Sequence, residues 1–296
     1  MVITVASGKG GTGKTTIAVN LAKTTSDIQT VPAKTVWLLD CDVEEPNAGL
    51  FLEPQITEEK QSSRFLPVFD LDICTGCGRC AEVCEYNAIA VAGGKAMFFK
   101  ELCHACGSCT LNCPEGAISE TPQPVGTLRR GEAGNLGFAE GILEIGFSSP
   151  VAVIRDLKKW MSCGLDPEEI FILDASPGTA CPVVESLRNS DFALLVTEPT
   201  PFGLHDLKLI TQLVRDAFSM PCAVVINKSG ENDGIIEEFC RERNIPILMR
   251  VPLSRKIAET YSAGRLLITQ DAPLMNQFRS LFEKITLELE TRSAAR

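Results

Sequence analysis

Val2-Ile3-Thr4-Val5-Ala6 is a short apolar, β-branched run that breaks at Ser7-Gly8-Lys9-Gly10-Gly11-Thr12-Gly13-Lys14-Thr15-Thr16. The spacing then turns helical over Ile17-Ala18-Val19-Asn20-Leu21-Ala22. A strand that is apolar throughout, rather than at every second position, is one buried on both faces. Similar runs recur at 35–39, 170–173, 192–196, 223–226 and 247–251, most of them followed by helix-like segments. Alternation of this kind predicts an α/β fold, a parallel β-sheet flanked by helices. Between Arg64 and Glu120 the rhythm stops and cysteines take over. Residues 126–147 alternate apolar and polar positions around several glycines, which predicts a β-hairpin, and 150–161 predicts a helix that restores the pattern. The expected division is therefore 1–63 with 121–296 for the sheet domain and 64–120 for an inserted domain. Near the C-terminus Leu274, Phe278, Leu281, Phe282, Ile285 and Leu289 fall on one helical stripe. With Glu283, Glu288 and Glu290 beside it, that stripe is expected to pack on the sheet rather than lie on a membrane.

Composition narrows the function classes. The 296 residues are 45% hydrophobic, enough for a full core, and carry a formal charge of −10. That sign repels phosphate backbones and anionic lipid, so neither nucleic acid nor membrane is an expected partner. No apolar run approaches the roughly 20 residues of a membrane span, and Met1 leads straight into the first strand without a charged leader, so a cytoplasmic location is expected.

The 13 cysteines change the picture most. Eight lie in two C-x2-C-x2-C-x3-C runs, and Cys74, Cys77, Cys80 and Cys84 recur 29 positions later as Cys103, Cys106, Cys109 and Cys113. Ala88-Ile89 recurs with them as Ala117-Ile118, so the segment is a duplication with pseudo-twofold symmetry. Cysteines at i, i+3 and i+6 wrap an iron-sulfur cluster, while structural zinc uses two separate C-x2-C pairs. The runs resemble those of bacterial two-cluster ferredoxins, in which the fourth ligand crosses over. That resemblance implies one [4Fe-4S] cluster on Cys74, Cys77, Cys80 and Cys113 and a second on Cys103, Cys106, Cys109 and Cys84. Pro114 follows Cys113 as in those proteins, whereas Glu85 follows Cys84. Gly76, Gly78 and Gly107 are expected to leave amides free to approach the sulfurs. Cys41, Cys163, Cys181, Cys222 and Cys240 are scattered singly and read as buried thiols; His104 and His205 read as surface or packing residues, with His205 beginning a helix.

The glycine loop after the first strand carries the pattern G-x4-G-K-T from Gly8 to Thr15. Such a loop turns consecutive backbone N–H groups inward, and the following helix adds its positive end. Gly8, Gly10, Gly11, Thr12, Gly13 and Thr16 are the expected phosphate cradle. Lys14 is expected on the β- and γ-phosphates of ATP, or the β-phosphate of ADP, and Thr15 on Mg2+. Acids close two later strands, Asp40 and Asp42 in Leu38-Leu39-Asp40-Cys41-Asp42 and Asp174 in Leu173-Asp174-Ala175-Ser176-Pro177-Gly178. They belong at the carboxyl edge of the sheet, where α/β folds bind ligands.

The additional Lys9 makes the loop resemble the deviant Walker motif of the MinD, ParA, Mrp and nitrogenase iron protein superfamily of P-loop ATPases, and Asp206 and Arg255-Lys256-Ile257-Ala258 lie in segments that resemble its members with an inserted ferredoxin domain. The resemblance covers nearly the whole chain. It implies that Lys9 reaches a partner's nucleotide in an ATP-dependent dimer, with a second copy or a paralogue. It also implies that Asp40 and Asp174 belong to the Mg2+ shell, that Asp42 positions the attacking water, that Gly178 is a switch hinge, and that Asn227 reads the adenine edge. The usual second motif has proline where this chain has Ser176. The function implied is an ATPase that passes electrons through two clusters to a redox partner. The alternatives are an iron-sulfur carrier like the Mrp group, whose C-terminal C-x-x-C has no counterpart after Cys113, and a spatial-organisation ATPase of the MinD or ParA type.

Overall fold

The structure, a computed structural model, describes residues 1–28 and 35–294, with side chains through 291. Its strands are β1 (Val2–Ala6), β2 (Val36–Cys41), β3 (Gln55–Phe69), β4 (Ile89–Ala92), β5 (Lys95–Phe98), β6 (Ile118–Ala133), β7 (Leu136–Leu143), β8 (Ile170–Ala175), β9 (Phe192–Thr197), β10 (Cys222–Ser229) and β11 (Ile247–Pro252). Helices are α1 (Lys14–Ile28), α2 (Gly49–Leu52), α3 (Arg79–Glu82), α4 (Ser108–Leu111), α5 (Pro150–Trp160), α6 (Cys181–Leu187), α7 (Pro201–Gln212), α8 (Gly234–Glu242), α9 (Arg255–Ser262) and α10 (Ala272–Ala294). Among the described residues the main sheet runs β11-β10-β9-β1-β8-β2-β7-β6-β3, parallel from β11 to β7 and antiparallel from β7 to β3.

β1, β8 and β9 are buried at every position, as continuous apolar runs require. Alternate residues feed two cores. Ile3, Val5, Leu38, Ile172 and Leu194 meet α1 and α10, while Leu39, Leu173, Leu195 and Val224 face the side of α5 to α8. Leu274, Phe278, Leu281, Phe282 and Ile285 of the C-terminal stripe are buried in the first core. Burying five such side chains removes roughly 1.5–3 kcal/mol of apolar exposure each, which holds α10 on the protein. None of the described helices is long and apolar enough to cross a membrane. α7 begins at Pro201, ahead of His205, because Thr200 caps it: the Thr200 hydroxyl accepts from the Gly203 N–H at 2.9 Å, and proline suits the first helical position.

The hairpin expected at 126–147 is β6–β7, but β6 starts earlier, at Ile118. From Gly126 to Glu132 it pairs with both β7 and β3; from Ile118 to Pro124 it pairs with β3 alone. β3 and β6 thus leave the sheet as a two-stranded ribbon, at a bulge between Ser62 and Ser63. The ribbon ends in the cysteine segment, which holds α3, the β4–β5 hairpin and α4. The expected boundaries at 63/64 and 120/121 fall inside β3 and β6, beside the bulge, so both strands run from the sheet into the cysteine arm.

Asp156 of α5 latches the bulge. Its Oδ2 accepts from Ser62 Oγ at 2.7 Å and Arg64 Nη1 at 2.9 Å, and Arg64 Nη2 donates to the Ala152 carbonyl at 2.7 Å. Burial alone raises a carboxylate's pKa, yet these bonds hold Asp156 below its ordinary range. α5 is tied in turn to α6: Arg155 makes two bonds of 3.0 Å with the Glu185 carboxylate, and Lys158 donates to the carbonyls of Glu185 and Ser186 at 3.1 and 2.8 Å.

Candidate functional site: a nucleotide loop and two cysteine cavities

β1, β8 and β2 are neighbours, so their carboxyl ends bring Ser7, Asp174 and Asp40 together; Asp40 and Asp174 are register partners. The glycine loop wraps over these ends into α1. Gly8 has no room for a side chain, because a Cβ there would stand 2.3 Å from the Asp206 carbonyl of α7. Gly13 has φ +89, and its backbone lies against Asn227. Ser7 Oγ donates to the Lys9 carbonyl at 2.6 Å, and Gly178 N–H to the Ser7 carbonyl at 3.0 Å. The loop is therefore shaped by neighbouring strands, and the Gly178 loop rests directly on its root.

Lys14 is buried at 6% exposure. An ammonium so placed needs anionic partners, and Asp42 and Asp174 both feel its charge. Asp40 is fully buried and accepts N–H bonds from Asp42, Asn47 and Ala48 at 3.0, 2.9 and 2.9 Å, which ties down the loop after β2. Burial, then the nearby Asp174, push its pKa well above the carboxylate range despite those three donors. Neither carboxylate oxygen of Asp174 has a hydrogen-bond partner. The Thr15 hydroxyl faces Asp174 without strict hydrogen-bond geometry. Burial raises Asp174 to about 7, with Thr15 and Lys14 offsetting part of the rise. Asp42 is half-buried and raised by burial, with Lys14 opposing.

Two orphaned carboxylate oxygens beside a threonine hydroxyl are the oxygen donors a hard cation takes, and the lysine next to them suits a phosphate that such a cation would bridge. Among the described residues no group of three or more His, Cys, Asp or Glu is gathered as a complete site for a metal ion. Mg2+ needs no such cage, since it keeps waters and takes only one or two carboxylates plus substrate phosphates. Lys9 is half-exposed and forms no side-chain bond among the described residues. Asn227 sits differently from the expectation of base reading: its Nδ2 donates to the Thr12 carbonyl at 2.7 Å and so braces the loop. Lys228, paired with Glu198 at 2.6 Å, reaches toward the Gly11 carbonyl at 3.5 Å. The sequence reading passed over this second brace; its signal was the Glu198-Pro199 segment ahead of α7.

On the arm, two cavities of about 340 and 360 Å³, open mouths included, each hold four cysteines. One is lined by Cys74, Cys77, Cys80 and Cys113, the other by Cys103, Cys106, Cys109 and Cys84. Backbone N–H groups point at the sulfurs, from Ala88 to Cys84 and Ala117 to Cys113 at 3.3 Å each and from Ala105 to Cys103 at 3.4 Å. The duplication is visible in burial as well: Cys77 and Cys106 are exposed, Cys80 and Cys109 buried. Among the described residues no cysteine is joined in a disulfide. Backbone amides, among them Gly76, lower the Cys74 pKa, while burial raises those of Cys80, Cys103 and Cys109. Around one zinc ion, thiolates crowd to about 3.8 Å of one another, given Zn–S of about 2.3 Å. Among the described residues the cysteines are not gathered around one metal-ion position, and a cuboidal cluster would instead bind each sulfur to a different iron. His104 stacks on Tyr86 at 3.8 Å beside the second cavity; the equivalent positions of the first are Thr75 and Glu115.

The model of the CobQ/CobB/MinD/ParA nucleotide binding domain matches residues 3–268. The chain belongs to this family of P-loop nucleotide-binding proteins, and its fold and family are those of an ATPase. It is 32% identical over 289 residues to an uncharacterized protein of Methanocaldococcus jannaschii, with 96% of each chain covered. It is 22% identical over 306 residues to the iron-sulfur cluster carrier protein of the same organism, covering 97% of this chain and 84% of that one. Among solved structures, the septum site-determining protein MinD of Pyrococcus horikoshii, complexed with Mg-ADP, superposes with a TM-score of 0.57 at 17% identity, over 96% of this chain and 95% of that one. At that identity the likeness speaks for the fold.

Proposed function

We propose that this chain is a Mg-ATP-hydrolysing switch that carries two [4Fe-4S] clusters on the β3–β6 arm and delivers electrons to a partner protein in step with nucleotide turnover. The observation that carries the reading is the partition of the eight cysteines. Each of the two cavities takes three cysteines from one run and the fourth from the other, on an arm whose strands are continuous with the nucleotide-binding sheet. Cys74, Cys77, Cys80 and Cys113 would hold one cluster and Cys103, Cys106, Cys109 and Cys84 the other. A bound cluster supplies a one-electron donor and acceptor whose potential responds to charge and amide hydrogen bonds.

The chain's own residues do the rest. The loop from Gly8 to Thr16 holds the phosphates through its amides, Lys14 neutralises them, and Thr15 with Asp174 orients Mg2+. Asp40 holds the Asp42 loop, and Asp42 places the attacking water. Lys9, which has no side-chain partner among the described residues, reaches the nucleotide of a second copy or a paralogue and offsets charge in the transition state. Asn227 holds the loop beneath the nucleotide, with the adenine edge passing the end of β10.

Coupling has a physical route. Gly178 bonds the root of the glycine loop, its loop runs into α6, α6 is bonded to α5, and α5 latches the ribbon at Asp156. A shift of the Gly178 loop on ATP binding therefore bears on the arm that carries the cysteines. The protein is expected to act in the cytoplasm. The iron-sulfur carrier reading has the carrier relative in its favour, but the cysteines outside the arm offer no exposed pair: Cys41, Cys222 and Cys240 are buried.

Anaerobically purified protein tests the proposal by iron count, ATP hydrolysis and redox titration with and without Mg-ATP. The expected result is about eight irons per chain, hydrolysis lost on Lys14→Ala, and potentials that move with nucleotide. Far fewer irons, or potentials and partner reduction indifferent to Mg-ATP, would sink it.

A further inference from the structure

Ser176 is 3% exposed and stands where the loops from β1, β2 and β8 cross. β2 and β8 pair up to Cys41 and Ala175, so Asp42 and Ser176 leave the sheet side by side. The Ser176 hydroxyl donates to the Cys41 carbonyl at 3.1 Å, across 135 residues of sequence. The same oxygen lies against the Asp42 carboxylate and favours its charged form. Two residues on, Gly178 donates to the Ser7 carbonyl.

A hydroxyl has one proton to give, and here two acceptors compete for it: a strand-end carbonyl and a carboxylate. The carboxylate is the stronger acceptor whenever its charge is not taken up by Lys14. The hydroxyl therefore binds the Asp42 loop to the Gly178 loop in either position. Proline, the residue usual here in the resembling ATPases, has neither a side-chain donor nor a backbone N–H.

We infer that Ser176 is a positioning residue for ATP hydrolysis, orienting the Asp42 carboxylate by its hydroxyl and making the Asp42 and Gly178 loops move as one. This rests on the reading of Asp42 as the residue that places the attacking water. It goes beyond that reading in assigning a second residue, through which the two nucleotide-sensing loops are joined.

The test measures steady-state hydrolysis of Mg-ATP by the full chain and its variants Ser176→Ala, Ser176→Thr, Asp42→Asn and Asp42→Asn with Ser176→Ala. A hydrogen bond to a charged group corresponds to about a 10- to 100-fold effect. Ser176→Ala is expected to lose that much in kcat with KM for ATP changed less than about threefold, since the contact serves the reacting geometry rather than nucleotide binding. Ser176→Thr restores most of the rate, because it keeps the hydroxyl. In the Asp42→Asn background, Ser176→Ala costs nothing further, because a residue acting through Asp42 has nothing left to orient. Wild-type kcat in Ser176→Ala, multiplicative losses in the double variant, or a threonine that fails to rescue each overturn the inference. Absence of ATP hydrolysis by the wild-type chain overturns the functional reading and this inference together, so the two failures are distinguishable.

Discussion

Asp174 and the cysteines of the arm are the groups proposed above to hold Mg2+ and the clusters, and they are supported by opposite means. Asp174 ends a strand buried at every position, in a sheet covered on both faces by helices, with its neighbour Asp40 held by three backbone N–H groups. Its site is shaped by the protein alone. The arm has a small core cluster of Cys80, Ile89, Ala96, Cys109 and Ile118, in which cysteines are themselves members. Phe65, Val68, Leu71, Ile73, Met97, Leu102 and Leu111 of the same segment are exposed. A segment with so little buried area falls below what hydrophobic burial sustains alone and needs a staple. The difference teaches that the nucleotide site is shaped by the sheet around it, whereas the proposed clusters would give the arm the support that its small core lacks.

Stripping iron is the largest way to break this comparison. Metal release from small sites of this kind removes on the order of 10 kcal/mol of folding free energy. Chelated protein is expected to be cut by protease between residues 70 and 117 while the sheet keeps a single cooperative thermal transition. An arm equally resistant with and without iron would put both regions on the same footing.

The second prediction sharpens the claim that the nucleotide site is built in advance with its charges unrelieved. Asp174 has a folded-state pKa of about 7, above the ordinary 3.8. A raised acid favours the folded state at low pH, so the metal-free chain loses this stabilisation as pH rises from about 4 through about 7. Mg2+ must displace the proton, so its apparent affinity in the nucleotide complex weakens as pH falls below about 7, approaching tenfold per unit. Magnesium titrations of nucleotide-loaded protein at pH 6, 7 and 8 check this, and Asp174→Asn is expected to flatten the trend. An affinity independent of pH would mean that the carboxyl is already ionised without metal.

The smallest effect concerns the junction. Asp156→Ala removes two donors' partner at a site about a third exposed, so the global cost is only about 1–2 kcal/mol. Its expected signature is local: faster amide exchange in 62–69 and 118–124, with ATP hydrolysis retained and the nucleotide dependence of the cluster potentials reduced. Unchanged exchange there would remove the latch from the coupling route.

Much of the sheet was legible because its signals are local. The apolar runs from Val2 to Val251, the turn ahead of Leu136 and the stripe from Leu274 to Ile285 each state their own periodicity. The extent of β3 and β6 was not, since an edge strand exposed at every position from Gln55 to Gln61 has no buried face to impose a pattern. Nor was Asn227's hold on the Thr12 carbonyl, which joins positions 215 apart.

By itself the sequence determined the glycine loop with Lys14 and Thr15, the acids at strand ends, and the two cysteine runs, because spacing within a loop or a turn constrains chemistry directly. Only the tertiary structure decided that Asp174 is left without a hydrogen-bond partner, that the Ser176 hydroxyl reaches the Cys41 carbonyl, and that the cysteine arm is an extension of the sheet latched by α5. Those facts depend on which strands lie side by side and what they exclude from water, and no short window of sequence contains them.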